Sequence, residues 1–170
     1  MKNYKRMNSS VVLIAVLGWG LVGCDYSDES LYPGQVSSVY VEMFDSASFR
    51  RGHEYVLTDA LAKRIEAETP YKIISNRNRA DTVLSGYISA VGETILADEQ
   101  QTGLPLEKQF EITAVVSWKN LKTGELIIDS ETASAAASFS EFQDQSTEYA
   151  SRLAANRLAE RIVEMMQKSW

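Results

Sequence analysis

Alternation between hydrophobic and polar positions predicts most of the secondary structure of this chain. Three long segments alternate with the two-residue period of a half-buried strand, and two shorter segments are rich in β-branched and aromatic residues. The predicted strands cover residues 36–44, 71–74, 82–96, 110–118 and 125–139. In the first of them, Val39, Val41 and Met43 share one face, whereas Tyr40 and Phe44 share the other.

The 3.6-residue period of an amphipathic helix occurs in two further segments, residues 53–67 and residues 146–168. Pro70 ends the first helix, and Asp144 or Ser146 is placed to cap the second. The predicted buried stripes are Leu57, Leu61 and Ile65 in the first helix and Ala154, Leu158, Ile162 and Met165 in the second.

The order of these elements is strand, helix, strand, three more strands and a final helix. A strand–helix–strand unit pairs its strands in parallel, and the long strands that follow are expected to pair antiparallel. Gly86 and Gly92 mark places for a bulge or for close packing in the first long strand. Since both helices have one apolar face, we predict an α+β fold, a two-layer sandwich. It has a mostly antiparallel sheet of four to five strands with both helices on one face, in a single domain over residues 36–170.

The start of the chain has a separate character. A basic start precedes an apolar run over residues 11–21, about half of the roughly 20 residues that a transmembrane helix needs. A secretory signal peptide is therefore the better interpretation. Leu21-Val22-Gly23-Cys24 closes the run and resembles the lipobox of bacterial lipoproteins, whose cysteine is lipidated and becomes the new N-terminus. We predict a signal peptide over residues 1–23, lipidation at Cys24, and a tether over residues 24–35.

Charge and composition exclude several classes of function. The 170 residues include 17 basic and 23 acidic side chains, and 45% are hydrophobic, an ordinary value for a globular domain. Residues 1–23 carry three basic and no acidic side chains, so their removal leaves 14 basic against 23 acidic and a net charge of −9. Such an acidic domain does not suit nucleic acid. It also requires that a lipid, and not a basic face, holds the protein at a membrane.

Residues with catalytic or metal-binding chemistry are sparse. One cysteine and one histidine cannot form a disulfide or a zinc site of several soft ligands within one chain. His53 stands alone at the start of a predicted helix, where a surface or capping role is expected. The sequence has no nucleophile elbow and no phosphate-binding glycine loop. We therefore expect no enzyme activity, no catalytic residues, no metal and no cofactor.

Three surfaces are candidates for binding. One is the outer face of the long strands, and a second is an edge strand able to pair with a strand of a partner. The third is a group of lysines near strand ends, where loops commonly carry binding residues. The alternatives are ordinary solvated surface and a chance grouping of lysines. The residues concerned are Ser85, Tyr87 and Ser89 on the outer face, and Lys108, Lys119 and Lys122 in the lysine group.

Several short motifs lie along the mature chain besides the lipobox ending at Cys24. They are Leu31-Tyr32-Pro33-Gly34, Val39-Tyr40-Val41, the helix with Leu57, Ala60 and Leu61, and Ala80-Asp81-Thr82-Val83-Leu84-Ser85-Gly86. Together with the final long helix, these motifs resemble the lipopolysaccharide-assembly lipoprotein family, LptE, over nearly the whole mature chain. An Ala-Asp-x-x-Leu-x-Gly pattern also occurs in other envelope lipoproteins and in domains similar to the N-terminal part of TolB.

This resemblance implies a small α/β domain anchored on the inner leaflet of the outer membrane, inside or against the β-barrel partner LptD. There it acts as a plug and assembly factor in delivery of lipopolysaccharide to the cell surface. In that family, basic residues near loop ends are thought to touch the anionic glycolipid, which implies such a role for Lys108, Lys119 and Lys122.

Two alternatives remain open from the residues. Asp25 follows the cysteine directly, and in enteric bacteria an aspartate there tends to retain lipoproteins in the inner membrane. The functional alternative is a periplasmic interaction or adaptor lipoprotein of another envelope secretion or transport complex, TolB-like or similar.

Overall fold

The computed structural model describes residue 32 and residues 36–47, 52–98 and 105–167. The predicted signal peptide and Cys24 lie outside the described residues. The strands are β1 (Ser38–Val41), β2 (Asp45–Ser46), β3 (Lys72–Ile73), β4 (Thr82–Asp98), β5 (Pro105–Asn120) and β6 (Leu126–Phe139). The helices are α1 (His53–Glu68) and α2 (Thr147–Met165), with 3-10 turns at Arg77–Arg79 and Glu141–Gln143.

Over the described residues the sheet is mixed and has six strands, in the order β3-β1-β4-β5-β6 with β2 also paired to β4. The parallel pairing of β1 with β3 around α1 confirms the predicted strand–helix–strand unit. β1 and β2 both run parallel to β4, whereas β4, β5 and β6 pair antiparallel. The fold is therefore α+β as predicted, but the sheet has more strands than the four to five expected and a parallel half.

The first predicted strand ends early, at Val41, and the extra strand β2 begins just beyond its predicted end. The Phe44 backbone N–H donates to Thr58 Oγ1 of α1 at 3.1 Å, and the Phe44 side chain is buried. Met43 is instead 50% exposed. The predicted faces of Met43 and Phe44 are therefore wrong. Asp45 lies four positions after Val41, whereas their partners Tyr87 and Leu84 on β4 lie three positions apart, and this extra residue reverses the alternation.

Phe44 packs where β4 carries no side chain. A Cβ atom on Gly86 would meet the carbonyl oxygen of Val115 and would lie 2.6 Å from Phe44 Cε1. The close packing predicted at Gly86 is confirmed, because only glycine leaves room for the aromatic ring. A shift of register between Ile88 and Ala90 then turns Val91 toward Ile112, so the alternation predicted along this strand breaks at Ser89.

The core joins one face of β5 to both helices. Alternate residues of β5 are fully buried, namely Phe110, Ile112, Ala114, Val116 and Trp118. The predicted stripes are confirmed: Leu57, Leu61 and Ile65 of α1 and Ala154, Leu158 and Ile162 of α2 belong to the same cluster, with Met165 partly buried beside it. Ser146 caps α2 by accepting the Tyr149 N–H at 3.1 Å.

Replacing Gly86 with alanine is expected to destabilise the domain by about 2–3 kcal/mol, because the new methyl group collides with a carbonyl oxygen and an aromatic ring. Gly92→Ala is the matched control on the same strand, since a Cβ there meets nothing within 4 Å. Thermal unfolding followed by circular dichroism measures both variants. Equal unfolding midpoints would contradict the packing of Phe44 over Gly86.

Candidate functional site

Tyr32 lies in the predicted tether, yet it is docked against the domain. Its ring meets Tyr71 edge-on with centroids 5.5 Å apart, and Tyr71 in turn lies 5.7 Å from the Trp118 ring. The Tyr32 hydroxyl donates to the Glu68 carbonyl oxygen at 3.2 Å, and the residue is only 8% exposed. Burial raises the pKa of Tyr71 above its ordinary range. The chain is therefore fixed to the domain eight residues after Cys24.

Asp81 organises the same end of the sheet. One carboxylate oxygen, Oδ2, accepts the backbone N–H groups of Ser37 and Ser38 at 3.1 and 3.0 Å. It also accepts the hydroxyls of both serines at 2.6 and 2.9 Å. The other oxygen, Oδ1, lies 2.5 Å from Lys122 Nζ. The contact with Lys122 and the serine hydrogen bonds hold the pKa of Asp81 well below its ordinary range.

The three predicted lysines do not form one site. Lys122 pairs with Asp81, and Lys108 pairs with Glu141 at 2.6 Å. Within the described ranges, Lys119 is exposed and has no ion-pair partner. Lys108 and Lys119 are 11 positions apart on β5, about 36 Å at 3.3 Å per residue. Lys119 and Lys122 thus share the Asp81 end, and Lys108 lies far from them.

The outer face of the sheet is accessible as predicted, in that Tyr87 and Ser89 are exposed and Ser85 is partly exposed. A shallow pocket of about 280 Å³ opens on this face, and its lining includes Ser85, Tyr87, Glu42 and Asp45. The pocket presents carboxylates and hydroxyls, so it does not suit an anionic ligand.

The free end of the β4–β5 hairpin carries exposed apolar side chains that the sequence analysis did not single out. We call Ile95, Leu96 and Leu106 the hairpin end; they are 58%, 49% and 40% exposed. β2 pairs with β4 only as far as Ile88, so the hairpin continues beyond its parallel neighbours in the described part of the sheet. The sequence contains one sign of this apolar end, because the consecutive apolar residues Ile95 and Leu96 break strict alternation.

His53 links the two helices. Its Nδ1 lies 2.8 Å from Ser151 Oγ of α2, and its ring centroid lies 5.3 Å from that of Phe110. The residue is partly buried. It therefore joins α1 to α2, whereas a surface or capping role was expected. In the part of the chain that the structure describes, no group of three or more His, Cys, Asp and Glu side chains is arranged to hold a metal. None of the described helices combines the length and apolarity needed to span a bilayer.

Solved structures share this fold at low sequence identity. The hypothetical protein CT253 from Chlamydia trachomatis superposes with a TM-score of 0.55 at 12% identity, covering 76% of this chain and 94% of its own. The uncharacterised lipoprotein B from Nitrosomonas europaea gives 0.54 at 12% identity, covering 85% and 88%. A DUF330 protein from Xanthomonas campestris gives 0.55 at 15% identity, covering 78% and 84%.

Sequence comparison supplies the family. No curated protein matches the chain. The family profile described as lipopolysaccharide-assembly, LptE, matches residues 36–166 and so spans β1 through α2. This chain therefore belongs to the LptE family.

Proposed function

We propose that this protein is an outer-membrane lipoprotein that assists assembly of an LptD-type β-barrel translocon and delivery of lipopolysaccharide to the cell surface. Lipidated Cys24 anchors it on the periplasmic face. The family match over residues 36–166 carries the proposal. The protein acts by binding and has no catalytic step.

The positions of the Tyr32 end and of the hairpin end, at opposite ends of the domain, support this function. Tyr32 lies eight positions after Cys24, a reach of at most about 28 Å, so the lipid holds the Tyr32 end near the membrane. Trp118, beside this end, pairs with Leu84, and Ile95 lies 11 positions further along β4, about 36 Å away. The apolar hairpin end therefore projects away from the anchor, and we assign it the contact with the barrel.

Two finer features belong to the same proposal. Both helices cover the buried face of one sheet in a two-layer arrangement, because their buried residues join one cluster with β5. This arrangement leaves the outer face free. Phosphates of lipopolysaccharide contact the predicted lysines, and Lys119 is the most available of them, since Lys108 and Lys122 already face Glu141 and Asp81.

Affinity purification of the full-length protein from detergent-solubilised native membranes, followed by mass spectrometry, tests the function. We expect an LptD-type barrel to be recovered with it. Leu96→Asp at the hairpin end should lower this recovery about tenfold, because a charge replaces an apolar contact. Leu126→Asp is the matched control, since Leu126 is 47% exposed against 49% for Leu96 and lies at the other end of the domain.

Other outcomes of this experiment contradict the proposal. Recovery of only soluble or inner-membrane envelope proteins would favour the adaptor alternative, with Asp25 acting as a retention signal. If Leu96→Asp and Leu126→Asp lower recovery of the barrel equally, the hairpin end does not make the contact with the barrel.

Replacing Cys24 with serine is expected to release the protein from membranes while the domain stays folded, because acyl chains on that sulfur supply the anchor. Membrane fractionation measures the release, and circular dichroism of the released protein measures the fold. Ser27→Ala, three residues along the tether, is the control and should stay in the membrane fraction. A Cys24→Ser variant that still pellets with membranes in high salt would show that the anchor lies elsewhere.

A further inference from the structure

Residues 140–145, which we call the β6–α2 turn, are fixed to the β4–β5 hairpin by side-chain contacts. Ser140 Oγ donates to the Leu106 carbonyl oxygen at 2.7 Å. The next residue, Glu141, pairs with Lys108 Nζ at 2.6 Å. Both contacts reach the first residues of β5, so the β6–α2 turn is held beside the hairpin end.

This turn presents a large apolar side chain to solvent. Phe142 is 64% exposed, the highest value among the large hydrophobic residues that the structure describes. The backbone around it is closed, because Gln145 Oε1 accepts the Ser140 N–H at 3.0 Å and Asp144 has a left-handed φ of 56°. An aromatic side chain held outward by a hydrogen-bonded turn is typical of the anchor residues of protein interfaces.

Phe142 and the hairpin end form one apolar surface. Lys108 lies opposite Ile95 in the β4–β5 pair and two positions after Leu106. The same lysine binds Glu141, and Phe142 is the next residue along the chain. Single exposed apolar residues are ordinary, whereas a group of them at one end of a domain marks an interaction site.

Exposed carboxylates flank this apolar surface. Two of them are neutralised, Glu141 by Lys108 and Glu148 by Arg152. Three others have no ion-pair partner among the described residues. An excess of negative charge repels the phosphates of a lipid headgroup and attracts lysine or arginine side chains of a protein. The three unpaired carboxylates belong to Asp98 and Glu107 of the hairpin and Asp144 of the β6–α2 turn.

We propose that Phe142 and the hairpin end dock together into an apolar pocket of the barrel whose rim carries lysine or arginine side chains. This inference rests on the proposed function, which supplies the barrel as the partner. Phe142 is the anchor, because an aromatic ring buries a large apolar area with few rotatable bonds. The flanking carboxylates select a basic protein surface and exclude lipopolysaccharide from this end of the domain.

Recovery of the barrel with Phe142→Ala tests the anchor. Affinity purification from detergent-solubilised native membranes should recover about tenfold less barrel with this variant than with the wild type. Its thermal unfolding midpoint should match that of the wild type, because the side chain is exposed. Tyr87→Ala is the matched control, since Tyr87 is an aromatic residue 46% exposed on the outer face, and it should recover as much barrel as the wild type.

Charge reversal tests the flanking carboxylates. Glu107→Lys should lower recovery of the barrel about threefold or more, because it places like charges opposite one another. Glu125→Lys is the control, since Glu125 is exposed at the other end of β5 and should have no effect. Equal recovery with these two variants would overturn the basic rim.

Photo-crosslinking in native membranes identifies the occupant directly. With p-benzoylphenylalanine in place of Phe142, we expect a covalent product with the barrel. A product with lipopolysaccharide, or no product with the barrel, would overturn the proposal. If the wild type and Phe142→Ala recover the barrel equally, this proposal fails and the proposed function stands. If the wild type recovers no barrel, the proposed function itself fails, and this proposal fails with it.

Discussion

Replacing Asp81 with alanine is expected to destabilise the domain by about 3–5 kcal/mol, a substantial part of its total stability. Asp81 is 9% exposed as a residue, and its carboxylate accepts four hydrogen bonds from Ser37 and Ser38. Its loss leaves two backbone N–H groups and two hydroxyls without their acceptor at the start of β1. Since Leu121 N–H also donates to the Asp81 carbonyl oxygen at 2.8 Å, three chain segments meet at this residue. Denaturant unfolding measures the loss.

Two control variants separate the stability that the serine hydrogen bonds contribute from the stability that the ion pair contributes. Lys122→Ala removes only a lysine whose side chain is 72% exposed, and surface ion pairs contribute at most about 1 kcal/mol. Asp59→Ala removes an exposed carboxylate that pairs with Lys63 at 2.7 Å, with a similarly small effect. A loss in Lys122→Ala as large as in Asp81→Ala would contradict the dominant role of the serines.

The pH dependence of stability follows from the same residue. The folded-state pKa of Asp81 is lowered, so its stabilisation is fully present above the ordinary aspartate pKa of about 3.9. It is lost progressively as the pH falls below that value toward the folded-state pKa. Asp81→Asn, which cannot ionise, should therefore lose less stability than the wild type over the acid range. If the free energy of unfolding falls in parallel for the two proteins as the pH is lowered, the lowered pKa of Asp81 is contradicted.

Local periodicity predicted the elements but not every pairing between them. Leu57, Leu61 and Ile65 are buried as expected because a helix stripe is fixed by sequence spacing alone. The break in the first strand at residues 42–44 involves a hydrogen bond from the Phe44 N–H to Thr58, which lies 14 positions away. Likewise, the break in alternation at Ser89 depends on the register with β5. Contacts distant in the sequence carry no local signal, and that is where the predictions fail.

The candidate site was predicted less completely than the fold. The lysines were grouped because they lie near strand ends, but one extended strand separates Lys108 from Lys119. The acidic partners of Lys108 and Lys122 come from other segments of the chain, so no spacing rule reveals them. The apolar hairpin end was missed because exposure of Ile95 and Leu96 depends on where the neighbouring strands stop.

Three residues of the motifs that resemble LptE have structural roles in this protein. Tyr32 packs on Tyr71, Asp81 joins β1 to β4, and Gly86 admits the Phe44 ring. These residues fix the tether and the parallel half of the sheet, and none of them is presented to a ligand. Under the proposed function, recognition of partners depends on surfaces outside these three residues, such as the hairpin end. This explains how short shared motifs identify the family without identifying the residues that bind.

A charge at Leu158 is expected to have the largest effect on stability of any substitution considered. Leu158 is fully buried at the centre of the α2 stripe, within the cluster that joins both helices to β5. Leu158→Asp removes about 2–5 kcal/mol of packing and also buries a carboxylate that has no partner. Since single domains are stable by only about 5–15 kcal/mol, most molecules of this variant should be unfolded at 37 °C.

Two further variants make this prediction specific. Asn156→Asp introduces the same charge on the exposed side of α2, and its unfolding midpoint should change by little, within about 0.5 kcal/mol. Leu158→Met keeps the apolar volume and should cost less than about 1.5 kcal/mol. Circular dichroism and thermal unfolding measure all three proteins. A Leu158→Asp protein as stable as Asn156→Asp would mean that the stripe of α2 faces solvent, and the packing of α2 against β5 and β6 would have to be abandoned.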